Sequence, residues 1–192
     1  MKKRYDFKPD PTQSPLKSWL HLTKKQRSAL LRWFLYALLL LALSLAQDAV
    51  MSRFRVRGGT TDLVPCGILL ICMLHEPGVG GIFALIGSLF YVFSGAAQGY
   101  YSIVLLVFLG VLLNIIRHSL LSKRFRSIFL CAGIGMMAYE MAVFAIGVFL
   151  GSTYFARMSV FVITGLLSVA ALFALYPIAF FIGKIGGEKW KD

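Results

Sequence analysis

Apolar residues in this chain come in long unbroken runs, without the three-to-four-residue or two-residue spacing of a half-buried helix or strand. Residues 30–46 carry one charge, Arg32, and residues 159–182 carry none. A transmembrane helix needs about 20 mainly apolar residues to cross the hydrocarbon layer. The runs cover residues 30–50, 62–74, 80–93, 98–116, 128–150 and 159–182. They predict an all-α polytopic membrane protein with about six transmembrane helices. The second run reaches only about 20 Å at 1.5 Å per residue. It stops at His75-Glu76-Pro77-Gly78. Helices two and three are therefore short, and residues 62–94 form either two full crossings or a re-entrant hairpin.

Composition agrees with this class and charge orients it. Of 192 residues, 58% are hydrophobic and 15% charged, against roughly 25% charged in a soluble domain. Lys+Arg number 20 and Asp+Glu 8, a net charge of +12. In a soluble protein that excess would suggest nucleic acid. Here nine basic residues precede Trp33 and the rest lie between apolar runs or at the C-terminus, which is a topology signal, so membrane lipid is expected as a partner and nucleic acid is not. Six crossings from a cytoplasmic N-terminus put 16 basic residues inside and 4 outside, whereas one crossing fewer divides them 10 to 10. An even count with N-in and C-in follows, and a hairpin returning to its own side gives the same division. Trp19, Trp33 and Trp190 fall near the cytoplasmic boundary, as interfacial tryptophans do.

Three regions are expected. Residues 1–29 form a basic cytoplasmic segment, residues 30–183 the transmembrane domain and residues 184–192 a cytoplasmic tail. In the first region, Leu16, Trp19 and Leu20 share a helical face beside Lys17, Lys24, Lys25 and Arg27. That stretch is either a helix lying on an anionic membrane surface or a tail with stray apolar residues. Thr23 to Gln26 reads as a capping box. Ser44-Leu45-Ala46 resembles a signal-peptidase site, but the polar region before it is 32 residues long, which favours an uncleaved anchor.

Candidate chemistry is sparse. Cys66, Cys72 and Cys131 sit in apolar runs without metal-ligand spacing. His75-Glu76 does not continue into H-E-x-x-H, and no nucleophile-elbow or phosphotransfer motif is present. No catalytic residue, metal or cofactor is expected, and the protein is read as a non-enzyme. Glu140 stands near the middle of the fifth run, where a carboxyl must be protonated, paired or facing water. It is either a neutral hydrogen-bonding acid or a proton or ligand site, with Asn114 and Arg117 the nearest partners by type. Asp48 and Asp62 flank an outer loop bearing Arg53, Arg55 and Arg57, which either pairs its charges locally at the membrane surface or presents them to an extracytoplasmic partner. Gly147-x-x-x-Gly151 and Ala42-x-x-x-Ala46 have the spacing of close helix packing.

Residues 61–99 resemble the rod-shape-determining protein MreD family. In that family a Pro-Asp-Leu step opens an apolar helix, a glycine-rich turn follows, and the next helix ends in a G-x-x-x-D-x-x-S-G run before another glycine. Here Thr61-Asp62-Leu63 matches the step with Thr for Pro, and Pro77-Gly78-Val79-Gly80-Gly81 supplies the turn. Gly87 to Gly95 supplies the run, with Tyr91 at the aspartate position, Ser94-Gly95 at its end and Gly99 after it. The long basic N-terminal extension is not a general feature of the family.

The resemblance implies a non-catalytic scaffold of the bacterial elongation machinery (elongasome) in the cytoplasmic membrane, the cell inner membrane. It would bind the bitopic protein MreC and help position a SEDS glycosyltransferase and a class B penicillin-binding protein for peptidoglycan synthesis. Asp62, Gly80, Gly81, Gly87, Tyr91, Ser94, Gly95, Gly99, Glu140, Gly147 and Gly151 are the candidate partner or packing positions. The alternative is the substrate-binding subunit of an energy-coupling-factor vitamin transporter. Such subunits share the size and span number, and the Ala42/Ala46 pair resembles their coupling motif. That reading needs polar and aromatic side chains converging from the last three spans.

Overall fold

The computed structural model of the chain describes residues 24–51, 53–54, 56–120 and 125–185. The proposed surface helix, Thr23 of the capping box, Trp19 and Trp190 lie outside them. Among the described residues six α-helices follow in order: α1 (Lys24–Ala46), α2 (Leu63–Leu74), α3 (Pro77–Phe93), α4 (Tyr101–Leu120), α5 (Phe125–Phe149) and α6 (Met158–Lys184). A π-helical turn, Gln47–Met51, extends α1, and a short 3-10 turn, Phe155–Arg157, leads into α6. The described residues contain no strand, only a tight hairpin turn in which Val56 and Gly59 exchange backbone hydrogen bonds of 2.9 Å.

Among the described residues four stretches are long and apolar enough to span a membrane: Gln26–Ala49, Tyr101–Ser119, Phe125–Phe149 and Phe155–Lys184. Their outer faces carry exposed large apolar residues such as Leu38, Phe108, Ile134, Leu166 and Phe173. A water-soluble bundle turns such residues inward, so the protein is built for an apolar solvent.

The shortest helix occupies a different place. All 12 residues of α2 are buried, and α1, α3, α4, α5 and α6 all pack on it. A helix apolar on every side is a helix surrounded by protein or lipid, and here protein surrounds it. Pro77 begins α3 at its first position, where its missing N–H costs nothing. Gly80 lets α3 start hard against the end of α2, because a Cβ there would come within 2.5 Å of the Cys72 carbonyl. One face of α3, from Gly80 through Ala84 and Gly87 to Tyr91, then lies against the core.

Gly147 and Gly151 do not make a helix-packing motif. Gly151 has φ +68°, and the Ser152 N–H reaches back to Gly147 O at 2.9 Å while the Gly151 N–H reaches Val148 O at 3.0 Å. These bonds define a Schellman stop at the end of α5, where the left-handed residue is most cheaply glycine. Fourfold spacing of small residues signals packing only within a continuing helix, and here the helix ends between the two.

Candidate functional site

A helix end buried in an apolar bundle leaves its first N–H and last C=O groups without water, so other side chains must satisfy them. At the start of α2, Asp62 is the N-cap residue but its carboxyl makes no cap bond. Its own N–H donates to Ser168 Oγ on α6 at 2.8 Å. The N–H groups of Leu63 and Val64 both donate to Gln47 Oε1, at 3.0 and 3.1 Å. The next residue is Pro65, which has no N–H to satisfy. Gln47 completes the arrangement by donating from Nε2 to Asp62 Oδ1 at 3.0 Å. The cap of α2 is therefore a side chain from the π-helical turn after α1.

The opposite end is closed from α4. Asn114 Nδ2 donates to Cys72 O at 2.7 Å and to His75 O at 3.2 Å. His75 Nδ1 lies 3.0 Å from Ile71 O. Arg117, three residues beyond Asn114 and 1% exposed, interacts electrostatically with Cys72 in the last turn of α2 and with Cys131 on α5. A cation there complements the partial negative charge of the helix end. The Trp33 and Tyr36 rings lie 5.1 and 5.3 Å from the His75 imidazole, and Phe83 packs on both of them.

Glu140 is fully buried on α5 and lies beside Asp62, with which it interacts directly. Asn114 and Arg117 are not its neighbours, because they belong to the far end of α2. The expectation of surface ion pairing at Asp62 also gives way, since the residue is 8% exposed and its carboxyl is bonded to Gln47 and Tyr91. Tyr91 Oη stands 3.5 Å from Asp62 Oδ2. Tyr139 on α5 and Ser102 at the start of α4 have their hydroxyls in the same cluster. The Glu140 stem packs on Gly165 of α6, whose position for a Cβ is 3.5 Å from Glu140 Cγ. Two carboxyls and several hydroxyls thus meet at one end of α2, an arrangement able to hold a proton or a small oxygen-seeking ligand.

The remaining candidate positions do backbone or packing work. A Cβ on Gly81 would come 2.9 Å from Val111, and one on Gly87 would come 3.0 Å from Ile68. Ser94 caps the end of α3 and donates from Oγ to Tyr91 O at 2.8 Å. Gly95 takes a positive φ of +76° in the turn that follows, and Gly99 lies against the Tyr101 ring. Gln47 and Ser102 escape sequence reading because each is a single polar residue at the edge of an apolar run. The signal that does exist is the pairing of Gln47 with a helix start that has Pro at its third position.

Comparison of the chain with protein-family models, curated proteins and solved structures returns no match.

Proposed function

We propose that the protein is a non-catalytic, multi-pass component of the bacterial cytoplasmic membrane that acts by its shape, as a scaffold of the cell-elongation machinery. The observation that supports this reading is where the residues of the family-like stretch 61–99 fall. Asp62 begins the buried helix, Gly80 and Gly81 let α3 close on α2 and α4, Gly87 seats α3 against Ile68, and Tyr91 reaches back to Asp62. The pattern fits a buried central helix, α2, with α3 locked against it along one face, which is what a protein working through packing requires. Tyr91 at the family's aspartate position fits the same logic. It brings a hydroxyl to Asp62, where an aspartate would bring a third carboxyl to the cluster.

In this reading the partners are an MreC-type bitopic protein and, through it, a SEDS glycosyltransferase and a class B penicillin-binding protein. The long helices cross the membrane, the α2–α3 hairpin returns to its own side, and both termini are cytoplasmic, in line with the 16 to 4 division of basic residues. Purification of the full chain in mild detergent together with candidate partners tests the reading. Stable association with the MreC-type protein supports it, and its absence from both detergent and nanodisc preparations counts against it.

One observation favours the second reading, a vitamin-binding transport subunit. Tyr91, Ser102, Tyr139, Glu140 and Ser168 converge from α3, α4, α5 and α6, as a binding pocket between helices would need. Every one of them is buried against its neighbours, however, so a vitamin would have to separate the helices to enter. A vitamin bound to the purified protein would decide for this alternative.

A further inference from the structure

We propose that the cluster around Asp62 and Glu140 is an internal binding site for one alkali-metal cation of Na⁺ size. The inference does not rest on the scaffold reading, since it follows from how the buried polar atoms are left. Both oxygens of Glu140 are buried without a hydrogen-bond partner, and so are Tyr139 Oη and Ser102 Oγ. Glu140 and Ser102 have no exposed surface and Tyr139 has 1%. Buried polar groups are normally satisfied, and a group left without a partner carries its full desolvation cost. Here the unpartnered atoms belong to three residues on two helices and gather at the same pair of carboxyls.

Protonation alone does not resolve the cluster, because a proton shared between Glu140 and Asp62 still leaves the second Glu140 oxygen, Tyr139 Oη and Ser102 Oγ without a hydrogen bond. Among the described residues no basic side chain interacts with either carboxyl. The groups facing the pair are Gln47 from the turn after α1, Cys66 from α2, Tyr91 from α3, Ser102 from α4 and Tyr139 from α5, with Ser168 from α6. Cys66 is already engaged, its thiol donating to Ser168 O at 3.3 Å. What remains for a ligand is a set of carboxyl and hydroxyl oxygens, which suits a hard cation. One monovalent cation together with one proton neutralises both acids, and the cation supplies the partner that Glu140, Tyr139 and Ser102 lack.

The test is thermal unfolding of the full-length protein in detergent, with NaCl titrated against choline chloride at constant ionic strength and pH. Wild type is expected to gain stability with Na⁺ in a saturable way, by mass action on the folded state. Glu140→Gln keeps the shape and removes the charge, and is expected to weaken the Na⁺ midpoint by about tenfold or more, a loss of about 1.4 kcal/mol in binding. Tyr139→Phe and Ser102→Ala each remove one hydroxyl and are expected to weaken it less; they carry the test if Glu140→Gln does not fold. Wild-type melting curves identical in Na⁺ and choline overturn the proposal. So does a Na⁺ response that is unchanged in all the folded variants.

Discussion

Replacing Gln47 by Ala removes one side chain from the turn after α1 and uncaps a helix that begins 16 residues later. The backbone donors at the start of α2 are the N–H groups of Asp62, Leu63 and Val64, with none at Pro65. Two of the three end on Gln47. Each N–H stranded away from water costs about 1–3 kcal/mol. Gln47 is half-buried, so water recovers part of that cost, and the expected loss is about 2–4 kcal/mol in total. The value exceeds the ~1 kcal/mol typical of removing an exposed N-cap, because the capped helix is the buried centre of the bundle. Equilibrium unfolding in mixed micelles, read by tryptophan fluorescence, measures it. Gln47→Glu sharpens the test, since it keeps an acceptor for Leu63 and Val64 but replaces the donor to Asp62 with a third acid in the cluster. It is expected to fall between wild type and Gln47→Ala at acid pH and to approach Gln47→Ala as pH rises. A Gln47→Ala protein within about 0.5 kcal/mol of wild type, the range of a neutral surface substitution, would refute the capping argument.

Other substitutions report on the remaining parts of the structure. Gly80→Ala puts a Cβ 2.5 Å from a backbone carbonyl; it is expected to cost at least about 1–3 kcal/mol as an overpacked site, seen as a lower melting temperature and loss of a monodisperse peak on size exclusion. Asn114→Leu removes the donors to Cys72 O and His75 O and is expected to cost about 2–4 kcal/mol by the same reasoning as Gln47, measured by the same unfolding titration. Gly151→Ala faces only the left-handed backbone at φ +68° with no neighbour in the way, so about 1 kcal/mol is expected. Tyr91→Phe loses a single contact of 3.5 Å to Asp62, too long for a strong hydrogen bond, and unfolding within about 1 kcal/mol of wild type is expected.

The helices were readable from the sequence because apolar runs and their breakers carry most of that information. The run beginning at residue 62 became α2 with Asp62 as its N-cap, and Pro77 became the first residue of α3. The stop between Leu74 and Pro77 was visible for the same reason. The central position of α2 was not visible, because an apolar run reads alike whether lipid or protein surrounds it. Glu140 was recognisable as an anomaly, yet its neighbour was misplaced. Asp62 lies 78 residues away in a stretch bordering an arginine-bearing loop, and only the packing of α5 against α2 brings the two acids together. Gly147 and Gly151 have the same spacing in a packing motif and in a helix stop, and the difference lies in the positive φ of Gly151, which the spacing does not encode.

The scaffold reading rests most directly on a physical partner. Affinity purification of the full-length protein from mildly solubilised native membranes, followed by identification of both bound proteins and bound small molecules, tests it in one experiment. An MreC-type bitopic protein recovered in stoichiometric amount, with no vitamin, is the predicted result. A bound vitamin without any MreC-type protein would contradict the account and place the protein among transport subunits.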